Sequence, residues 1–202
     1  MLETLSNVHS LQLPASTLPK ELEIIVDDMI AIHCPTHMLA VYSHNAAAQK
    51  RKVTLFPTHQ LILAAHCNNM PSFPTSHPNP AAPGSTVQIP VVPMCLPSPE
   101  TFSILQSYLY TKRIDALLAK LLPTPPPSMT DTNIPLSDII KRLVHHLAAT
   151  CSISSLALHA MLINGVWRNA CALGVYDNKL WNAIEVTWGA IVGAIDMSNA
   201  QC

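Results

Sequence analysis

Apolar positions along the chain follow two periods, and the change from one to the other divides it. Short runs come first. Residues 38–42 (MLAVY) and 52–56 (KVTLF) are apolar and partly β-branched, with Asn45 and the basic cluster Lys50-Arg51-Lys52 between them. That pattern predicts a hairpin with a loose turn. Pro57-Thr58 then opens a helix predicted to run through Cys67, with Thr58 as its N-cap. Residues 70–83 are rich in Pro, Ser and Asn and predict a loop. Residues 87–95 (VQIPVVPMC) read as extended, and their two prolines predict an edge or irregular strand, because proline has no N–H to give a ladder.

From Ser98 onward the period is helical. Ser98-Pro99-Glu100 supplies a cap, a proline in the first turn and an acid at the positive end of the helix dipole. Phe102, Leu105 and Leu109 follow at helical spacing, then Ile114, Leu117, Leu118 and Leu121 on a second short helix. Residues 124–131, with Pro125-Pro126-Pro127, break the pattern. Leu136, Ile140, Leu143 and Leu147 mark another helix, residues 155–173 a further one ended by Gly174. The last stripe is the clearest: Asp177 is placed to cap a helix carrying Leu180, Trp181, Ile184, Trp188, Ile191, Val192 and Ile195. The organisation expected is α+β: an N-terminal arm (1–24) with Pro14 and Pro19, a sheet-and-helix domain (25–122) containing a proline-rich loop (70–86), a proline-rich linker (123–135) and a helical C-terminal extension (136–198).

Composition narrows the function classes. Hydrophobic residues make up 49% of the 202 and charged ones 11%, enough for a core with apolar surface to spare for a partner. Eleven basic and twelve acidic residues leave a net charge of −1, so no basic field exists for nucleic acid. The Lys50-Arg51-Lys52 cluster reads as a solvated turn, with a weak nuclear import signal as the sharper alternative. Six cysteines (Cys34, Cys67, Cys95, Cys151, Cys171, Cys202) form no close-spaced pair, and no signal peptide is evident at the start. Reduced thiols in an intracellular protein, nuclear or cytoplasmic, are expected. Residues 143–167 lack Asp, Glu, Lys and Arg, but His145, His146, Thr150, Ser152, Ser154, Ser155, His159 and Asn164 make buried helices the better reading than a membrane span, which needs about 20 mostly apolar residues.

Candidate chemistry is sparse. Five glycines build neither a phosphate-cradling loop nor a nucleophile elbow. His59 or His66 with a cysteine would be the pieces of a small hydrolase, but no acid is aimed at either; His59 reads as a structural residue at a helix start. Asp27-Asp28 and the pair Glu21 and Glu23 read as solvated. The chemical alternative is zinc held by His33, Cys34, His37 and Cys67, although the spacing is irregular. His145, His146 and Cys151 form a weaker group, since adjacent histidines on a helix do not share a face. No catalytic residue, metal site or cofactor is assigned. Trp167, Trp181 and Trp188 are candidate interface anchors; Trp188 lies on the apolar stripe, which gives it to the core, and Trp181 borders it. The candidate partner-binding residues are Trp181, Trp188, Ile184 and Tyr110.

Two segments resemble the BTB/POZ domain. Residues 53–67 (VTLFPTHQLILAAHC) resemble its strand leading into a His-Lys-x-x-Leu-Ala-x-x-Ser helix: His59, Leu63 and Ala64 match, Gln60 stands for Lys and Cys67 for Ser. Residues 89–112 (IPVVPMCLPSPETFSILQSYLYTK) are similar to its strand, cap and Phe-x-x-Leu-x-x-Tyr-Leu-Tyr-Thr-Gly helix end, with Lys112 in place of Gly. This likeness spans residues 38–122. It implies protein–protein interaction, and often self-association through an N-terminal helix and strand; residues 1–37 carry no clear pattern for either, which leaves a homodimer open. The whole chain resembles the fungal clampless-protein family of basidiomycetes, on residues 92–99 (VPMCLPSP), 108–113 (YLYTKR) and 162–174 (LINGVWRNACALG). That resemblance implies a regulator of sexual development (clamp formation) acting with mating-type transcription factors. The expectation is a non-enzymatic adaptor with protein partners, no direct contact with nucleic acid and no membrane.

Overall fold

The fast-alternating N-terminal half forms strands and the 3.6-period remainder forms helices, an α+β architecture. The computed structural model describes residues 10–11, 18–26, 34–43, 53–76, 82–125 and 136–200. Asp27-Asp28, His33, Lys50-Arg51-Lys52, the triple proline's last two members and most of the N-terminal arm lie outside these. Cα packing divides the chain into two units, Met1–Ser103 with Cys171–Tyr176, and Ile104–Ala170 with Asp177–Cys202.

The first unit is built on a sheet of five strands among the described residues: β1 (Ser10–Leu11), β2 (Glu21–Ile25), β3 (His37–Tyr42), β4 (Val53–Thr58) and β5 (Thr86–Cys95), in the order β1-β4-β3-β5-β2. The expected hairpin is present, with β3 and β4 antiparallel and Leu39 opposite Phe56. β3 is central and buried on both faces, which is why its run is continuously apolar. One face of the sheet packs Met38, Ala40, Val53, Leu55, Ile89 and Val91 together under Leu22 and Ile24 of β2. On the other, Phe56 meets Phe102 edge to face with ring centroids 5.0 Å apart. Each such fully buried side chain contributes on the order of 1.5–3 kcal/mol.

Of the two readings its prolines allow, an edge or an irregular strand, the edge is not what forms: β5 is an interior strand. Its two halves solve the problem separately. Residues 86–90 pair antiparallel with β2, and residues 91–95 pair parallel with β3. Val91 donates its N–H to Lys20 on the β2 side. N–H direction alternates along a strand, so Pro93 faces the β2 side beyond the end of that ladder, and Pro90 faces the β3 side before its ladder begins. Neither missing donor leaves a gap.

The helix after β4 is shorter than its sequence suggests. α1 spans Gln60–Ala64, with His59 rather than Thr58 at the N-cap and no capping bond from His59. Thr58 stays in β4, buried. The capping oxygen comes from a residue 24 positions earlier: Gln60 donates its N–H to Thr36 Oγ1 at 2.9 Å. The helix stops before Cys67, which instead forms an antiparallel bridge to Val175. Around it Asn68 and Asn69 donate their N–H groups to the carbonyls of Gly174 and Leu173. Gly174 has φ +63°, and a Cβ there would lie 3.0 Å from Asn69 Nδ2. Both the left-handed backbone and the close approach require glycine.

The second unit contains, among the described residues, most of α2 (Phe102–Thr111), α3 (Ile114–Leu121), α4 (Leu136–Thr150), most of α5 (Ile153–Leu173) and α6 (Asn178–Ala200). α4 packs on α6, where Gly193 lets Val144 approach so closely that an added Cβ would sit 3.0 Å from Val144 Cγ2. The buried stripe of α6 is Leu180, Ala183, Ile184, Thr187, Ala190, Ile191 and Ala194. It is rotated by roughly a quarter turn from the stripe that hydrophobicity alone marks. The small residues face inward because they permit close helix packing, and the tryptophans are left on the other flank. No helix among the described residues is long and apolar enough to cross a membrane.

Candidate interaction groove

α5 and α6 open a groove of about 450 Å³ between them. α5 supplies Ile163, Asn164 and Trp167; α6 supplies Trp181, Ile184, Glu185 and Trp188. The spacings, four residues on α5 and three, four and seven on α6, put each set on one helical face. Ile163 and Ile184 are buried and form the floor, at 0% and 5% exposure. Trp167 and Trp188 are 46% and 42% exposed. The chain has three tryptophans, and all three line this groove. Glu185 and Asn164 are exposed and supply its polar groups.

Of the partner-binding candidates, Trp181, Trp188 and Ile184 come together here. Tyr110, on α2, does not line the groove. The core assignment for Trp188 gives way to its exposure, for the packing reason above. Ile163, Asn164 and Glu185 were missed from the sequence. The signal available was the i, i+4 pair Ile163 and Trp167, which repeats on α5 the spacing of Trp181 and Glu185 on α6.

α6 is fixed at its start by Asp177. Its Oδ1 accepts the N–H of Lys179 at 3.0 Å and of Leu180 at 3.4 Å, the expected cap. Its Oδ2 accepts the Tyr108 hydroxyl at 3.1 Å and the Lys112 ammonium at 2.9 Å. Burial alone would raise the Asp177 pKa; the bonds from Lys112 and Tyr108 and the Lys112 charge outweigh it and hold the carboxyl below its usual range. Tyr108 is pushed well above the usual phenol range by burial, by the bond to Asp177 and by that carboxylate's charge. Lys112 has φ +55°. A left-handed lysine costs about 1–2 kcal/mol; the ion pair and a Tyr108 ring 5.2 Å from Nζ offset it.

The zinc alternative finds little to build on. His33 lies outside the described residues. His37 is buried, with Nε2 2.8 Å from the Pro74 carbonyl and Nδ1 2.9 Å from Thr36 Oγ1. A carbonyl only accepts, so Nε2 carries a proton and donates it to Pro74. Neither nitrogen is left for a metal, and the described residues contain no group of three or more His, Cys, Asp or Glu side chains arranged to hold one. Burial raises the Cys34 thiol pKa, which disfavours the thiolate a cysteine hydrolase needs. His59 sits partly exposed at the start of α1.

A family model for the N-terminal domain of clampless protein 1 matches residues 1–97, and one for its C-terminal domain matches residues 115–202. The chain belongs to the clampless-protein family. It is 30% identical over 109 residues to clampless protein 1 of Cryptococcus neoformans var. neoformans serotype D, strain JEC21, and equally to that of strain B-3501A. Each match takes in 54% of this chain and 21% of the relative, so the chain spans about a fifth of the curated relatives' length. No solved structure matches it. Within this clampless-family chain the five strands fall in the N-terminal match and the whole groove falls in the C-terminal match.

Proposed function

We propose that this clampless-family chain is a non-enzymatic intracellular adaptor that acts in fungal clamp formation by binding protein partners, transcription factors among them, through the tryptophan groove. The observation that carries the reading is the exposure of Trp167 and Trp188 beside a buried apolar floor. Tryptophan is the residue most enriched among binding hot spots, and a helix groove with aromatic walls suits a partner's apolar helical face. Burial of the indoles would supply affinity, and the polar rim would select the partner. The name of the relatives, clampless protein 1, together with the family, supports the link to clamp formation.

For the N-terminal unit we read a BTB/POZ-like module. β4 leads into α1 over the segment carrying His59, Leu63 and Ala64, and β5 leads through the Ser98 cap into α2, the element order that likeness implies. Lys112 departs from the pattern, yet it keeps the left-handed backbone that the family's glycine would adopt.

The test is replacement of the native copy in a clamp-forming fungus by a Trp167→Ala/Trp188→Ala double variant. With the protein present at wild-type level and folded by circular dichroism, clamp formation is expected to be lost. Normal clamps with a folded double variant would reject the groove as the working surface.

A further inference from the structure

The groove carries more than apolar surface. Three tryptophans and one glutamate line it, and Glu185 has no ion-pair partner among the described residues. Tryptophan faces attract cations within about 6 Å of the ring centroid, more strongly than any other side chain. A carboxylate side chain on the same opening adds a second group that favours a cation. A purely apolar occupant would leave Glu185 at the edge of a desolvated contact with nothing to compensate it. A cation satisfies both features at once.

Resting on the adaptor reading above, we propose that the groove receives an arginine side chain carried on an apolar segment of the partner protein. Arginine suits the site better than lysine. Its planar guanidinium stacks on an indole face and its fork matches a carboxylate with two parallel bonds, while an ammonium is a strongly hydrated point charge. A space of about 450 Å³ exceeds one side chain, so the flanking apolar residues of the segment would occupy the remainder above Ile163 and Ile184.

The chain's whole tryptophan emission arises from this groove, because no tryptophan lies elsewhere. Titration of the full chain with N-acetyl-arginine N-methylamide, against its uncharged isostere N-acetyl-citrulline N-methylamide, therefore reads the site directly. The arginine probe is expected to bind roughly tenfold more tightly than the citrulline probe, the scale of one charge-assisted pair with a stacked cation. Glu185→Gln, an exposed change, is expected to erase that preference by lowering the arginine affinity towards that of citrulline. Equal affinities for the two probes would overturn the arginine proposal while leaving the groove as an apolar docking site. No response to either probe at millimolar concentration would overturn it too, with the adaptor reading then resting on the clamp assay alone. An emission that shifts on simple dilution would point to a second copy in the groove and also count against a partner's arginine.

Discussion

The two units use their largest aromatic side chains in opposite ways. In the sheet unit, Phe56 and Phe102 are 7% and 0% exposed and meet edge to face inside the core. In the helical unit, Trp167 and Trp188 stay nearly half exposed, and the helices close on small residues instead: Ala183, Ala190 and Ala194 in the buried stripe of α6 and Gly193 against Val144. An aromatic ring is the largest single apolar contribution a fold can bury. Leaving three indoles around a groove therefore forgoes stability that the sheet unit takes. The helical unit replaces part of it with a polar keystone, Asp177, which caps α6 and holds Tyr108 and Lys112.

The contrast can be broken most forcefully in the sheet unit. Phe102→Ala is expected to cost about 3–5 kcal/mol, the range for a buried aromatic truncated to alanine, measured by urea unfolding. An effect under about 1 kcal/mol would show that the Phe56–Phe102 contact is not part of the core. Next comes the keystone. Asp177→Ala is expected to cost about 2–3 kcal/mol, from a lost N-cap and an orphaned Tyr108 hydroxyl in a residue 2% exposed. Its sign with pH follows from the lowered pKa. Over the acidic range the folded Asp177 binds fewer protons than the unfolded one, so its contribution is full above the ordinary carboxylate pKa and is lost as pH falls through the lowered folded value. Asp177→Asn should flatten that acid limb; an unchanged acid profile would remove Asp177 from the account.

A smaller effect separates the two parts of Lys112. Lys112→Ala keeps the left-handed strain and loses the ion pair, so it should cost about 1 kcal/mol. Lys112→Gly loses the same pair but relaxes the backbone, and should be within about 0.5 kcal/mol of wild type. Equal costs for both would mean that the backbone is not strained there. The groove is also expected to contribute little to stability: Trp188→Ala should shift unfolding by about 1 kcal/mol or less, as for a partly exposed side chain. A loss on the scale of Phe102→Ala would put Trp188 back in the core and dissolve the difference between the units.

Local pattern made much of this legible. The hairpin, the Ser98 start and the Asp177 cap all lie in residues next to each other in the chain, and their periods and capping residues can be read there. What was hidden depends on distant partners. Nothing near α1 announces that Thr36 supplies its capping oxygen. The prolines of β5 are tolerated only because two different strands pair with its two halves, a fact of topology. The α6 stripe was misplaced because hydrophobicity weights Trp188 above Ala190 and Ala194, whereas close packing on α4 selects the small side chains. Three of the four candidate binding residues nonetheless share one groove, because residues at i, i+3 and i+7 on a helix meet whichever face turns inward.

The central claim is that Trp167 and Trp188 stand exposed on the walls of the groove in the free protein. Acrylamide quenching of the native emission tests it most directly. Efficient quenching with a red-shifted maximum, lost when a partner binds, is the expected result. Emission that is blue-shifted and protected in the free protein would contradict it, because the indoles would then already be packed.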